Sequence, residues 1–402
     1  MLEYFSGNYV WNMAVVTLVE EIGTISEAET AFRSIAHLSK ADGKTANAGW
    51  FTAMSELGGR LEAEAMADEA RGCTLSASRK YHRSSMYLIR AERMVSHLDP
   101  LRLPTYQRAV DNYRKARALA RDPIEFVDIP YKGGVMPALF LQGEGEGPRP
   151  TVIHLQGFDS LKETQFPYLD GYRTRGMSVL IVDQPGAGGA LRLSGLIGEI
   201  ETEHYVGTLV DYLQSRPDVD ADRIGLAGIS MGGYSAPRAA VYEPRIKACA
   251  AWGALYEAAP LFKGVLTHAK GAEESVPDSV GHALWTFGLS TVDELIDLFD
   301  RMSLEGVIQN LKCPLLVTHG ENDRQVPLAQ AQRMVAEAGS ADKELKVFTV
   351  AEGGAEHCQL DNRYRGSDYV TDWFAERLGG SVSGLPQKKS QMTIPAAPSR
   401  LA

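Results

Sequence analysis

At 402 residues the chain is longer than one typical core supports, so one large domain and a smaller one are expected. Apolar residues make up 44% and charged residues 23%, ordinary values for a soluble globular protein. The formal charge of −10, with no long basic run, argues against a nucleic-acid or membrane partner, and no apolar run approaches a bilayer span.

Residues 1–21 have an apolar middle with acids on both sides. No Lys or Arg precedes it and no small-residue cleavage pattern follows, so it does not read as a signal peptide. Residues 1–122 then read as helical throughout. Trp11, Val15, Leu18, Val19 and Ile22 recur at helical spacing, as do Ala28, Ala31, Phe32, Ile35 and Leu38. Ser26 with Glu29 three residues later predicts a capping box. Further helices are predicted over 48–71, 75–98 and 106–119. Helical hairpins keep a solenoid open as an alternative, although no fixed-period repeat stands out. The aromatics of this region, among them Trp50, Tyr81 and Tyr113, read as core rather than ligand contacts.

Asp122-Pro123 ends the helices. Short strands are predicted over 124–129 and 136–142 around a Lys132-Gly133-Gly134 turn, and buried-type strands over 151–155 and 178–182. A helix is expected over 199–214, followed by the strand 224–227. Three more strands, 246–252, 314–319 and 345–350, alternate with helices over 328–338 and 368–378. Strands alternating with helices predict a mostly parallel eight-stranded α/β sheet covered on both faces. The interval 254–309 breaks that alternation with helical, aromatic-bearing sequence, an insertion over the carboxyl edge where such sheets bind ligands. The catalytic domain is thus read as 123–379, and 380–402 as a flexible Ser/Pro/Lys-rich tail.

The residues that carry chemistry sit at strand ends. Gly228-Ile229-Ser230-Met231-Gly232 lies between an apolar strand and a helix, the pattern of a nucleophile elbow that lifts Ser230 clear of the sheet edge. A serine hydroxyl needs an oriented base, and in this arrangement the acid and then the histidine follow in the chain. Asp323 stands on the loop after strand 314–319, with Glu321 as the competing acid. His357 stands on the glycine-rich loop after the last strand, and His319 is read as packing at its strand end. An oxyanion hole is expected from the Met231 amide and the Phe158 amide, with Gly157 letting the backbone approach the substrate. Asp159, and Tyr256 with Glu257 just past the sixth strand, are candidate substrate contacts. Residues 183–189 suggest a phosphate loop but lack its Gly-Lys-Ser/Thr ending, so they are read as a turn. No metal, nucleotide or flavin signature stands out. The four cysteines, Cys73, Cys249, Cys313 and Cys358, are scattered and read as free thiols of a cytoplasmic protein.

With these residues in place, the chain resembles the α/β-hydrolase superfamily over 124–378. A narrower likeness rests on Gly157-Phe158-Asp159-Ser160-Leu161-Lys162-Glu163, on Asp183-Gln184-Pro185-Gly186-Ala187-Gly188, on the 124–141 hairpin and on the long helical N-terminus. These resemble the group of the 2,6-dihydropseudooxynicotine hydrolases and the fungal polyketide-shortening hydrolases. The resemblance implies a triad of Ser230, Asp323 and His357, an N-terminal helical cap over the active site, cleavage of a carbon–carbon bond beside a ketone, a small-molecule substrate and a homodimer. Gln156 and Gln184 depart from that group, which usually has glycine at both positions, leaving room for a different substrate. Rival readings are a carboxylesterase or thioesterase, an acyltransferase or cyclase, a non-catalytic binding protein on the same fold, and a helical adaptor.

Overall fold

The computed structural model describes residues 2–22, 24–267, 273–274 and 276–384. Five helices come first: α1 (Tyr9–Ile22), α2 (Ile25–Ile35), α3 (Gly43–Ala70), α4 (Thr74–Glu92) and α5 (Arg102–Ala120). The Asp42 side chain starts α3 by accepting from the Thr45 amide at 3.0 Å. The capping box expected at Ser26 does not form. Helix α2 already begins at Ile25, so Ser26 lies inside it, and Thr24 at the cap position makes no side-chain bond. A true capping box opens a later helix, Val292–Arg301, between Thr291 and Glu294.

The sheet strands are β1 (Ile124–Tyr131), β2 (Gly134–Leu141), β3 (Arg149–Leu155), β4 (Ser178–Val182), β5 (Val219–Ile229), β6 (Ile246–Trp252), β7 (Leu315–Gly320) and β8 (Lys343–Phe348). Their spatial order is β1-β2-β4-β3-β5-β6-β7-β8. Only the β1/β2 and β2/β4 pairs are antiparallel, and the other five are parallel. Between the strands run α6 (Lys162–Thr174), α7 (Gly188–Arg192), α8 (Glu203–Gln214), α9 (Gly232–Tyr242), α10 (Ala259–Leu266), α11 (Ser279–Phe287), α12 (Val292–Arg301) and α13 (Leu328–Glu337), and α14 (Arg363–Leu378) follows β8.

Sequence patterning leaves α6 and α7 unmarked and misplaces several ends. Strand β8 closes at Phe348 rather than at 350, because the Glu352 carboxylate accepts from the Thr349 amide and hydroxyl and turns the chain. Helix α8 starts at Glu203, since Glu199 is drawn away to Tyr131 and Lys132. Helix α14 starts early because Asn362 caps it.

One buried apolar cluster runs from Trp11, Trp50 and Tyr87 of the N-terminal helices into Val152, Ile181 and Phe374 around the sheet. A second fills the opposite face and reaches Phe262 and Phe299 of the insertion. The N-terminal helices therefore share a core with the sheet. Trp50 is fully buried and donates from Nε1 to the Arg90 carbonyl at 2.9 Å. Past α14, Gly380 and Ser381 bond back to Ala375 and Arg175. The remainder of the expected tail, 385–402, lies outside the described residues. No helix among the described residues is long and apolar enough to cross a membrane.

Candidate active site

Strand β5 delivers Ser230 at its carboxyl end, and α9 begins two residues later. Ser230 is held at φ +58°, a left-handed conformation that a non-glycine residue adopts only when its surroundings enforce it. The tightness of the turn explains its glycines. A Cβ on Gly228 would lie 2.0 Å from the Gly232 carbonyl oxygen, and one on Gly232 would lie 2.9 Å from that of Gln156.

Ser230 meets the two residues that the sequence pairs with it. His357 Nε2 is 2.8 Å from Ser230 Oγ, and His357 Nδ1 is 2.7 Å from Asp323 Oδ2. The other oxygen of Asp323 accepts from the Gln325 and Val326 amides at 2.9 and 2.8 Å, which fixes the carboxylate plane. Burial works to raise Asp323, yet the His357 imidazole beside it holds its pKa below the usual carboxylate range. Burial likewise disfavours the His357 imidazolium. Asp323 overrides it and raises His357 well above the ordinary histidine value. His319 packs at its strand end as expected, donating from Nε2 to the Val326 carbonyl, and lies 3.6 Å from Asp323. Glu321 points elsewhere and accepts from the Val350 amide.

The loop after β3 faces Ser230. A Cβ on Gly157 would come within 2.8 Å of Ser230 Cβ, so this backbone approach tolerates no side chain. The Gly157 amide donates to Ser160 Oγ at 2.6 Å. Among the described residues, neither the Phe158 nor the Met231 amide has an acceptor. Asp159, also left-handed at φ +57°, lines the cavity that contains Ser230 and anchors the loop. Its buried carboxylate lies 2.5 Å from Arg192 of α7, 3.4 Å from Arg102 of α5, 3.4 Å from Arg93 and 3.5 Å from His282 of α11. Arg192 and Arg102 also share Glu92 at 2.9 and 2.8 Å. Burial alone would raise the Asp159 carboxyl, but the His282 ring and the three guanidiniums hold it below its usual range. Asp159 thus braces the loop that carries Phe158.

The same loop is tied to the turn after β4. Lys162 Nζ reaches Asp183 at 2.8 Å and Glu163 at 2.6 Å, all buried. The two glutamines that depart from the resembled group lie against each other. Gln184 accepts from the Gln156 amide and donates to its carbonyl, both at 2.9 Å, so the second departure stabilises the backbone at the first.

Two sequence candidates fall outside the site. The Tyr256 hydroxyl donates to Glu337 on α13, Glu257 pairs with Arg333 at 3.5 Å, and Gln330 accepts from the amides of both. Neither lines a cavity that reaches Ser230. Other neighbours of the site were not singled out by sequence. Cys358 Sγ is 3.3 Å from His357 Nε2, and Gln325 donates to Tyr9 Oη at 3.2 Å. Arg90, Arg93 and Arg363 line a cavity that contains Ser230 and His357. The position of Cys358 directly after His357 was the available signal. The arginines gave none.

Residues 171–381 match the model of the prolyl oligopeptidase family. The chain is similar to the 2,6-dihydropseudooxynicotine hydrolase of Paenarthrobacter nicotinovorans, 28% identical over 85% of this chain and 88% of that one. It is 29% identical to the α/β hydrolase psoB of Aspergillus fumigatus over 67% of this chain and 70% of that one. The crystal structure of the 2,6-dihydroxy-pseudo-oxynicotine hydrolase superposes with a TM-score of 0.70 and 27% identity, covering 82% of this chain and 88% of that one.

Proposed function

The chain belongs to the prolyl oligopeptidase family of α/β hydrolases, and from that premise we propose that it is a serine hydrolase that cleaves a carbon–carbon bond beside a ketone. The observation that carries the reading is the hydrogen-bonded series Ser230–His357–Asp323, with spacings of 2.8 and 2.7 Å. In this reading His357 takes the Ser230 proton as Oγ adds to the carbonyl, and Asp323 stabilises the imidazolium. The Phe158 and Met231 amides hold the oxyanion, each worth about 3–4 kcal/mol of transition-state stabilisation. Collapse expels an enolate, which His357 protonates at carbon, and a water activated by His357 then frees the acid from Ser230.

The similarity to the 2,6-dihydropseudooxynicotine hydrolase over most of the chain favours carbon–carbon cleavage over ester cleavage. The N-terminal helices act as the cap, since Arg93 and Arg102 reach the loop beside Ser230. A panel of β-diketones, acylated naphthols and short esters in heavy-oxygen water tests the reading. It expects diketone cleavage with one heavy oxygen in the released acid. Turnover of esters alone would replace it with a carboxylesterase, and absence of heavy oxygen would indicate acyl transfer.

A further inference from the structure

Ser230 lies between two cavities, with Phe158, Ser230 and Gln325 lining both. The cavity under the insertion is about 430 Å³, and Leu255, Phe262, Val265, Ala283, Phe299 and Met302 give it mostly apolar walls, with Glu273, Glu274 and a single guanidinium, Arg324, also lining it. The cavity under the N-terminal helices is about 70 Å³ and is lined by Arg90 and Arg93 from the end of α4 and by Arg363 from the start of α14.

We infer that the small cavity is a subsite for a carboxylate on the leaving arm of the substrate, and that the large cavity takes an apolar acyl arm. Arg90 and Arg363 share a single carboxylate oxygen, Glu21 Oε1, at 2.5 and 3.9 Å. The Nε–H of each is buried without an acceptor among the described residues. A desolvated guanidinium donor with no partner is costly, and an incoming carboxylate offers two acceptors in the planar geometry it prefers. Asp159 also lines the cavity and pairs with Arg93, but it is shared with Arg102 and Arg192. Burial pushes Glu20, near Arg363, up to about 7, so these carboxylates neutralise the arginines only in part. The volume admits a short fragment rather than a ring.

The division of charge also assigns the arms. Cleavage leaves an electron pair on the departing carbon, and the three guanidiniums of the small cavity stabilise the resulting enolate better than the large cavity, where Arg324 stands beside Glu273 and Glu274 among apolar walls. The substrate class is therefore a 2,4-dioxo acid with an apolar acyl arm, an assignment that rests on the carbon–carbon reading above. Ser230 Oγ bonds to C4, the C3–C4 bond breaks, its electron pair forms the enolate of a 2-oxo acid, and the His357 imidazolium protonates C3. One water then releases the apolar acid.

Calorimetric titration of the Ser230→Ala protein with 2,4-dioxodecanoate and with its neutral primary amide tests the subsite without turnover. The carboxylate is expected to bind at least tenfold tighter. Adding Arg93→Met or Arg363→Met is expected to bring the ratio near one, and adding Arg93→Lys to retain part of it. Because the readout is a ratio within each protein, a general loss of folded material cancels. Equal affinities for the two probes, no binding of either, or a preference that survives both Met variants would overturn the subsite. Product analysis with the unmutated enzyme, expecting heptanoate and pyruvate, reports separately on the chemistry. Tight, carboxylate-dependent binding without cleavage would keep the subsite and sink the carbon–carbon reading.

Discussion

The two sides of Ser230 are built differently. On one side Asp323 and His357 come from the loops after β7 and β8, each placed by a few neighbouring residues. On the other side the Phe158 loop is braced by Glu92, Arg93, Arg102, Arg192 and His282, drawn from four helices far apart in the chain. The first side is a local device repeated on a scaffold. The second exists only once the N-terminal helices dock, so it makes the chemistry depend on the whole fold.

Damage to the first side should remove turnover and leave the fold. Asp323→Asn is expected to lower kcat by on the order of 10⁴ with an unchanged melting curve. The pH profile carries the sign. His357 must be neutral to act as base, and Asp323 raises its pKa, so kcat/KM falls as pH drops through a limb above pH 6.5. In Asp323→Asn that limb should move to lower pH; a stationary limb would detach the acid from the imidazole.

Damage to the second side should reach stability as well. Asp159→Asn leaves the buried guanidiniums undercompensated and should cost about 3–5 kcal/mol in denaturant unfolding. Retained stability would show that the ion pairs do not brace the loop. Gly157→Ala forces a methyl group against Ser230 and the Ile229 carbonyl, and should lower kcat by about 10²–10³, the scale of a lost oxyanion donor, and cost about 1–3 kcal/mol of stability through overpacking. The smallest effect belongs to the exposed Lys263–Asp300 pair, where Lys263→Gln should change stability by less than about 1 kcal/mol. A Lys263→Gln loss as large as that of Asp159→Asn would erase the distinction between buried and surface pairs.

The first side was legible in the sequence because its signals are local. Ser230 sits among glycines that the turn requires, and Asp323 and His357 follow apolar strands in the expected order. All eight strands were readable for the same reason. The second side was not, since Arg93 and Arg102 look like ordinary charges on helix faces until tertiary packing buries them. Tyr256 and Glu257 show the opposite error. Their position past β6 suggested the site, but Gln330 holds their backbone and their side chains turn toward α13. Helix α6 escaped notice because its start is pinned by the Lys162–Asp183 pair and not by a cap that spacing could reveal.

Ser230 as the nucleophile and His357 as its base can be read out by fluorophosphonate labelling followed by peptide mass mapping. One label per chain is expected, on Ser230, absent from Ser230→Ala and strongly slowed in His357→Ala. A label on another residue, or equal labelling of Ser230→Ala, would contradict these roles.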